Sequence, residues 1–125
     1  MNLKHILLID DDKELAQLLS DYLTNEGFSL SYCQDGITGL SQAYDDNIDL
    51  ILLDVMMPGM DGPSTLAELR KIPKLTKTPV MFMTAKVQPQ EVEFLKSLNV
   101  ADVIAKPFDP MGLANNIRDS WEKAI

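Results

Sequence analysis

Three short runs of this chain are apolar without alternation: Ile6-Leu7-Leu8-Ile9 within Leu3 to Ile9, Leu50-Ile51-Leu52-Leu53 within Asp49 to Asp54, and Val80 to Thr84. Successive apolar positions over so few residues fit strands covered on both faces, as in a parallel sheet. Phe28 to Cys33 instead alternates Phe28, Leu30 and Tyr32 with Ser29 and Ser31, the mark of a strand nearer a sheet edge. Asp102 to Ala105 supplies a short fifth strand.

Between these runs the period changes to that of a helix. Leu15, Leu18, Leu19, Tyr22 and Leu23 recur at helical spacing, after Asp12 as a cap and before Gly27 as a stop. Asp35-Gly36 turns the chain into a second helix over Ile37 to Asp46, with Ile37, Leu40, Ala43 and Tyr44 expected inward. Pro63 suits the first turn of a third helix running to about Lys71, and residues 72–77 read as a loop. Gln88 to Leu98 predicts a fourth helix with Val92, Leu95 and Leu98 on one face. Asp109 and Pro110 open the last, carrying Leu113, Ala114, Ile117 and Trp121. Five strands alternating with five helices predict one α/β domain over residues 1–125 with a parallel sheet. Right-handed crossovers and two covered faces favour a doubly wound arrangement. The strand order 2-1-3-4-5 is one solution, and periodicity alone does not select it.

Composition narrows the function classes. Of the 125 residues, 46% are hydrophobic, enough for one core without covalent staples. The single cysteine, Cys33, excludes an internal disulfide and gives no zinc cluster. The single histidine, His5, has no second histidine to pair with, and a structural role is expected for it. No apolar run approaches the roughly 18 residues of a membrane span, and MNLKHILLIDDD lacks the layout of a signal peptide. A cytoplasmic protein is expected. The formal net charge of -8, without a Lys/Arg cluster, argues against direct binding to nucleic acid or to an anionic membrane.

The chemistry gathers where strands end. In a parallel sheet the carboxyl ends of the strands share one edge, where open α/β folds bind ligands. That edge should collect Asp10 and Asp11 after the first strand, Asp54 after the third, Thr84 after the fourth and Lys106 after the fifth. Beyond Asp54, Pro58, Gly59 and Asp61-Gly62 force a loop over the strand end, with both glycines free to take positive φ. Neighbouring strands lie about 5 Å apart, and two carboxylates about 4 Å apart repel by roughly 4 kcal/mol at an effective dielectric near 20. A cation must compensate. Oxygen ligands select a hard ion, and few carboxylates plus waters suit Mg²⁺, whereas the spacing and terminal glutamate of an EF-hand loop are missing. Lys106 neutralises only part of the charge and is better suited to an incoming anion. Phosphoryl transfer needs an in-line nucleophile, a metal and donors for the remaining charge. Asp54, alone on the central strand, is the candidate nucleophile, forming an acyl phosphate, and adjacent Asp10 and Asp11 form the metal cradle.

The motifs ILLIDDD, LLDVMMPGMDG, VMFMTA and IAKPF occur in the order found in the receiver domain of bacterial two-component response regulators, and the chain resembles that family over essentially its whole length. The resemblance implies a flavodoxin-like (βα)5 fold with sheet order 2-1-3-4-5. It also implies phosphorylation of Asp54 by a sensor histidine kinase or phosphotransfer protein. Mg²⁺ would be held by Asp11, by Asp10 directly or through water, by Asp54 and by the backbone carbonyl of Met56. Thr84 and Lys106 would meet the phosphoryl oxygens, Met56 and Lys86 would gate water, and Lys106-Pro107 would be a cis peptide. The chain departs from the family at Val103, where an aromatic residue often serves as a rotating switch; a β-branched side chain has few rotamers and no large face to hide.

The implied output is a change in the face made by the fourth helix, fifth strand and fifth helix, read by a downstream protein partner. Phe94, Lys96, Ile104, Phe108 and Trp121 are its candidate contacts, with ordinary core as the alternative for the apolar ones. Met1 leans the reading slightly toward a complete single-domain regulator over a receiver cut from a longer protein. A competing function, an Mg²⁺-dependent phosphohydrolase with an aspartyl nucleophile, would want a second acid two residues on, where Met56 stands. A flavin or nucleotide carrier would want a phosphate loop where Asp10, Asp11 and Asp12 repel phosphate.

Overall fold

The computed structural model describes residues 5–124. β1 (His5–Ile9) leads to α1 (Lys13–Asn25), β2 (Ser29–Cys33) to α2 (Gly36–Asp45), and β3 (Leu50–Asp54) to α3 (Gly62–Leu69). A single 3-10 turn at Pro73–Leu75 precedes β4 (Val80–Thr84), α4 (Pro89–Lys96), β5 (Asp102–Ala105) and α5 (Pro110–Ala124). All pairings are parallel and the sheet order is β2-β1-β3-β4-β5, the doubly wound (βα)5 arrangement implied by the resemblance. Leu3, where the first strand is expected to start, lies outside the described residues.

The uninterrupted apolar runs are buried because both faces of the sheet are covered. Ile6, Leu8, Leu50, Leu52, Met81 and Met83 face one core cluster, which Leu19, Leu23, Ile117 and Trp121 of α1 and α5 complete. The alternate positions Leu7, Ile9, Ile51, Leu53, Val80 and Phe82 face the other, completed by Ala43, Leu66, Leu69 and Leu95 of α2, α3 and α4. Each side chain thus reports the period of two along its strand. The three strands at the centre of the order are the ones that lack alternation, and β2 lies at an edge, as its pattern suggests.

Asp12, Asp35 and Asp61 cap α1, α2 and α3, their carboxylates accepting from the N–H groups of Leu15, Thr38 and Ser64. α4 ends two residues earlier than expected, and Asn99 beyond it has a φ of 61°. His5 is structural: its ring bridges the hydroxyls of Ser29 and Ser31 at 2.9 and 2.8 Å, tying β1 to β2 at the edge opposite the acids.

The second helix corrects the sequence reading. Ile37 and Tyr44, expected inward, are 71% and 62% exposed. The buried face is Gly36, Gly39 and Ala43, because this helix packs so closely on β1 that a Cβ at residue 39 would lie 2.5 Å from Ile9 Cδ1. Small residues make the contact and the large apolar ones are rotated out. Leu18 on α1 is likewise exposed, with Ala16 buried in its stead.

Candidate functional site

The site is built where four parallel strands stop. Asp10 follows the last residue of β1, Asp54 ends β3, Thr84 ends β4 and Lys106 follows β5. Asp10 is fixed by its own backbone, with its N–H donating to Cys33 O at 3.1 Å. Its carbonyl accepts from Tyr32 Oη at 2.7 Å, and its Oδ1 accepts from the N–H of Asp12 at 2.8 Å. Asp10 is fully buried, Asp54 is 4% exposed, and Asp11 stands in solvent beside them.

Lys106 joins the two buried acids. Its Nζ donates to Asp10 Oδ2 at 2.9 Å and to Asp54 Oδ1 at 3.2 Å, spanning 96 and 52 residues of chain. The residue's own N–H donates to Thr84 O at 2.8 Å, and the Lys106-Pro107 peptide is cis, as the resemblance implies. Sequence reasoning reserved this lysine for an anion; the structure shows it already dividing its charge between two carboxylates.

One ammonium does not neutralise three acids. Carboxylate oxygens of Asp10, Asp11 and Asp54 lie within 4.8 Å of one another, a group able to hold a metal ion. The donor set is all oxygen and two-thirds buried, which fits a hard cation and not a soft one. Burial, and then the neighbouring charge of Asp10, raise the pKa of Asp54 from 3.8 to about 7, against the lowering pull of Lys106. Burial alone would lower the pKa of Lys106, but its hydrogen bonds and attraction to Asp10 and Asp54 reverse the sign and raise it. Burial also raises the Tyr32 phenol, helped by the nearby Asp10, Asp11 and Asp12 charges.

The loop after Asp54 is shaped by two glycines in different ways. Gly59 has a φ of +79°. Gly62, also free to take positive φ, does not use that freedom and is instead required by proximity: a Cβ there would lie 2.6 Å from Asp54 O and 2.8 Å from Val55 Cα. Its N–H donates to Val55 O at 2.9 Å, folding the loop back onto the strand end.

Thr84 is buried beside this group, and its hydroxyl is turned to the β4–α4 connection, accepting from the N–H of Lys86 at 3.0 Å. Met56 lies two residues past Asp54 with its side chain exposed, and Lys86 is exposed as well. Of the candidate output residues, Ile104 and Trp121 are core, Phe108 packs against the same cluster, and Phe94 and Lys96 face solvent. Val103 is half-buried against the α4 side of the sheet. Sequence reasoning missed Tyr32 as the clamp on Asp10; the strand pattern places it beside β1, but its hydroxyl partner depends on register, which pairs it with Leu8.

No described helix is long and apolar enough to cross a membrane. A family profile described as the response regulator receiver domain matches residues 6–118. The chain is 42% identical over 113 residues to the transcriptional regulatory protein CpxR of Escherichia coli, covering 90% of this chain and 47% of that protein. It is 38% identical to the transcriptional activator protein IrlR of Burkholderia pseudomallei, with 90% and 48% covered. The chain thus spans about half the length of the curated relatives it matches. Among solved structures, the Francisella response regulator 1452 receiver domain superposes with a TM-score of 0.88 at 28% identity, covering 98% and 99% of the two chains. The chemotaxis response regulator CheY4 of Vibrio cholerae superposes with a TM-score of 0.89 at 25% identity, with 95% and 99% covered. The fold agrees with the superposed structures, and the chain belongs to the response regulator receiver domain family, whose members are phosphorylation-based signalling switches and not turnover enzymes.

Proposed function

We propose that Asp54 accepts a phosphoryl group from a sensor histidine kinase or a phosphotransfer protein, and that the acyl phosphate changes the surface offered to a downstream protein. The observation that carries this reading is the placement of Lys106 Nζ between Asp10 and Asp54 at a buried strand edge. In the transfer, an Asp54 carboxylate oxygen attacks phosphorus, the bond from phosphorus to the donor's imidazole nitrogen breaks, and the imidazole leaves. Lys106 is within reach of the new oxygens and exchanges part of its carboxylate pairing for them. Asp10, Asp11, Asp54 and the carbonyl of Met56 would hold Mg²⁺. Bound there, the ion would supply positive charge that favours ionised Asp54 and would screen phosphoryl oxygens.

Thr84 can follow. Its hydroxyl now serves the N–H of Lys86, so a turn toward a phosphoryl oxygen withdraws the acceptor from the β4–α4 connection and biases that segment and α4 toward a second arrangement. With Val103 in place of an aromatic switch, the backbone of 85–87 and the exposed Phe94 and Lys96 carry the signal. Neither nucleic acid nor membrane is a direct partner in this reading, in keeping with the net charge of -8.

Intact mass after incubation with acetyl phosphate, with and without Mg²⁺, tests the proposal on the wild type and on Asp54→Ala. One added phosphate that requires both the ion and Asp54 is expected. An adduct that survives Asp54→Ala, or none in the wild type with beryllofluoride also failing to bind, refutes it.

A further inference from the structure

Asp11 is the one member of the acid group whose side chain stands in solvent, so little packing holds it in place. The backbone on either side has to aim it. Its Cα joins two planar peptide units, and a hydrogen bond to a polar atom of either plane resists that plane's rotation. The following plane carries the N–H of Asp12, which donates to Asp10 Oδ1 at 2.8 Å. The preceding plane carries the carbonyl of Asp10, which accepts from Tyr32 Oη at 2.7 Å. Asp11 is thus bracketed by two held planes, one of them through Tyr32.

Tyr32 is the part of this bracket that comes from another strand. The register of β2 on β1 sets Tyr32 beside Leu8, and Asp10 lies two residues on along the same face. β1 ends at Ile9, and no backbone N–H of the described residues donates to Asp10 O. The phenol supplies the donor that the sheet no longer does. Because Asp10 is fully buried, its carbonyl without that donor reaches water only if the peptide turns. Burial first, and then the charges of Asp10, Asp11 and Asp12, raise the pKa of the phenol, which therefore keeps the proton it donates.

We propose that Tyr32 is a positioning residue for the divalent cation: through the Asp10 carbonyl, its hydroxyl sets the peptide plane from which the Asp11 carboxylate is aimed at Asp10 and Asp54. The inference rests on the reading that these acids hold Mg²⁺. Tyr32 itself supplies no ligand in it. Exchanging its hydroxyl for hydrogen changes no charge in the site, so an effect on cation affinity is one of geometry, of the kind produced by groups standing behind metal ligands.

Mg²⁺ titrated at pH 8 and constant ionic strength into ¹⁵N-labelled, unphosphorylated wild type, Tyr32→Phe and Ser29→Ala tests this. Ser29→Ala removes a hydroxyl of the same strand, the partner of His5 at the end away from the acids, and gauges what a lost edge hydrogen bond does by itself. Saturable shifts at the amides of Asp11, Asp12 and Asp54 are expected in the wild type. Tyr32→Phe should bind Mg²⁺ about tenfold more weakly, and Ser29→Ala should match the wild type. In metal-free protein, the residual dipolar coupling of the Asp11 N–H, which reports the tilt of the plane shared with the Asp10 carbonyl, should change in Tyr32→Phe while those of Ile6 to Ile9 stay. Undiminished Mg²⁺ affinity in Tyr32→Phe, an equal loss in both variants, or a loss with the Asp11 coupling unmoved would overturn the positioning role and leave the metal reading standing. No saturable shift in the wild type would overturn both.

Discussion

Replacing Asp54 by asparagine removes a charge the fold holds at a cost, so the variant should be more stable than the wild type when no divalent ion is present. Asp54 is almost closed to solvent, faces the fully buried Asp10, and shares one ammonium with it. Its pKa rises from 3.8 to about 7 through burial first and Asp10 second. A carboxyl group whose folded pKa is raised favours folding while it is protonated. That contribution is complete below about pH 4 and is lost as pH climbs through 7. At about 1.4 kcal/mol per pH unit the ceiling is about 4 kcal/mol; water at the rim and relaxation of Lys106 toward the ionised pair remove roughly half. Urea unfolding in chelator should show Asp54→Asn and wild type alike at pH 4.5. At pH 8 the variant should lead by about 2 kcal/mol, or roughly 6–10 °C in Tm. Adding Mg²⁺ at pH 8 should narrow the gap by stabilising the wild type. A gap of the same size at both pH values, or a less stable variant at pH 8 in chelator, would refute the electrostatic account of this site.

Gly62→Ala should lose about 1–3 kcal/mol of stability, since the new methyl meets Asp54 O and the Val55 backbone and not a yielding side chain; urea unfolding checks this, and an unchanged midpoint contradicts it. Tyr32→Phe deletes the hydroxyl donated to Asp10 O and should cost about 1 kcal/mol, equally at pH 5 and pH 8, in the same assay. Thr84→Val should still take up phosphate at Asp54, but the amide shifts of 85–94 that accompany phosphorylation in the wild type should shrink by more than half.

The acids were legible because each sits at the end of an apolar run that can only be a buried strand, and strand ends in a parallel sheet share an edge. Asp10, Asp54, Thr84 and Lys106 could therefore be placed together before any coordinate was known. The partner of Lys106 could not be read, because which carboxylate it reaches depends on the stacking of four strands. The inward face of α2 was misread for a related reason. Hydrophobic periodicity weighs side chains, and here the contact is made by Gly36 and Gly39, whose lack of a side chain lets the helix approach Ile9. Glu91 gave no signal at all: an acid in the first turn of a helix ordinarily faces water, yet its Oε2 is closed to solvent and without a hydrogen-bond partner.

The reach of Lys106 across 96 residues to Asp10 has a bearing on the life of the chain before it is folded. A ribosome delivers the amino-terminal part first, at roughly 5–20 residues per second, so Asp10 and Asp54 are made seconds before the one side chain that bridges them. Until β5 docks on β4, the acids have neither their ammonium nor the strand that aims it. The bridged pair of acids exists only once the fifth strand is in place.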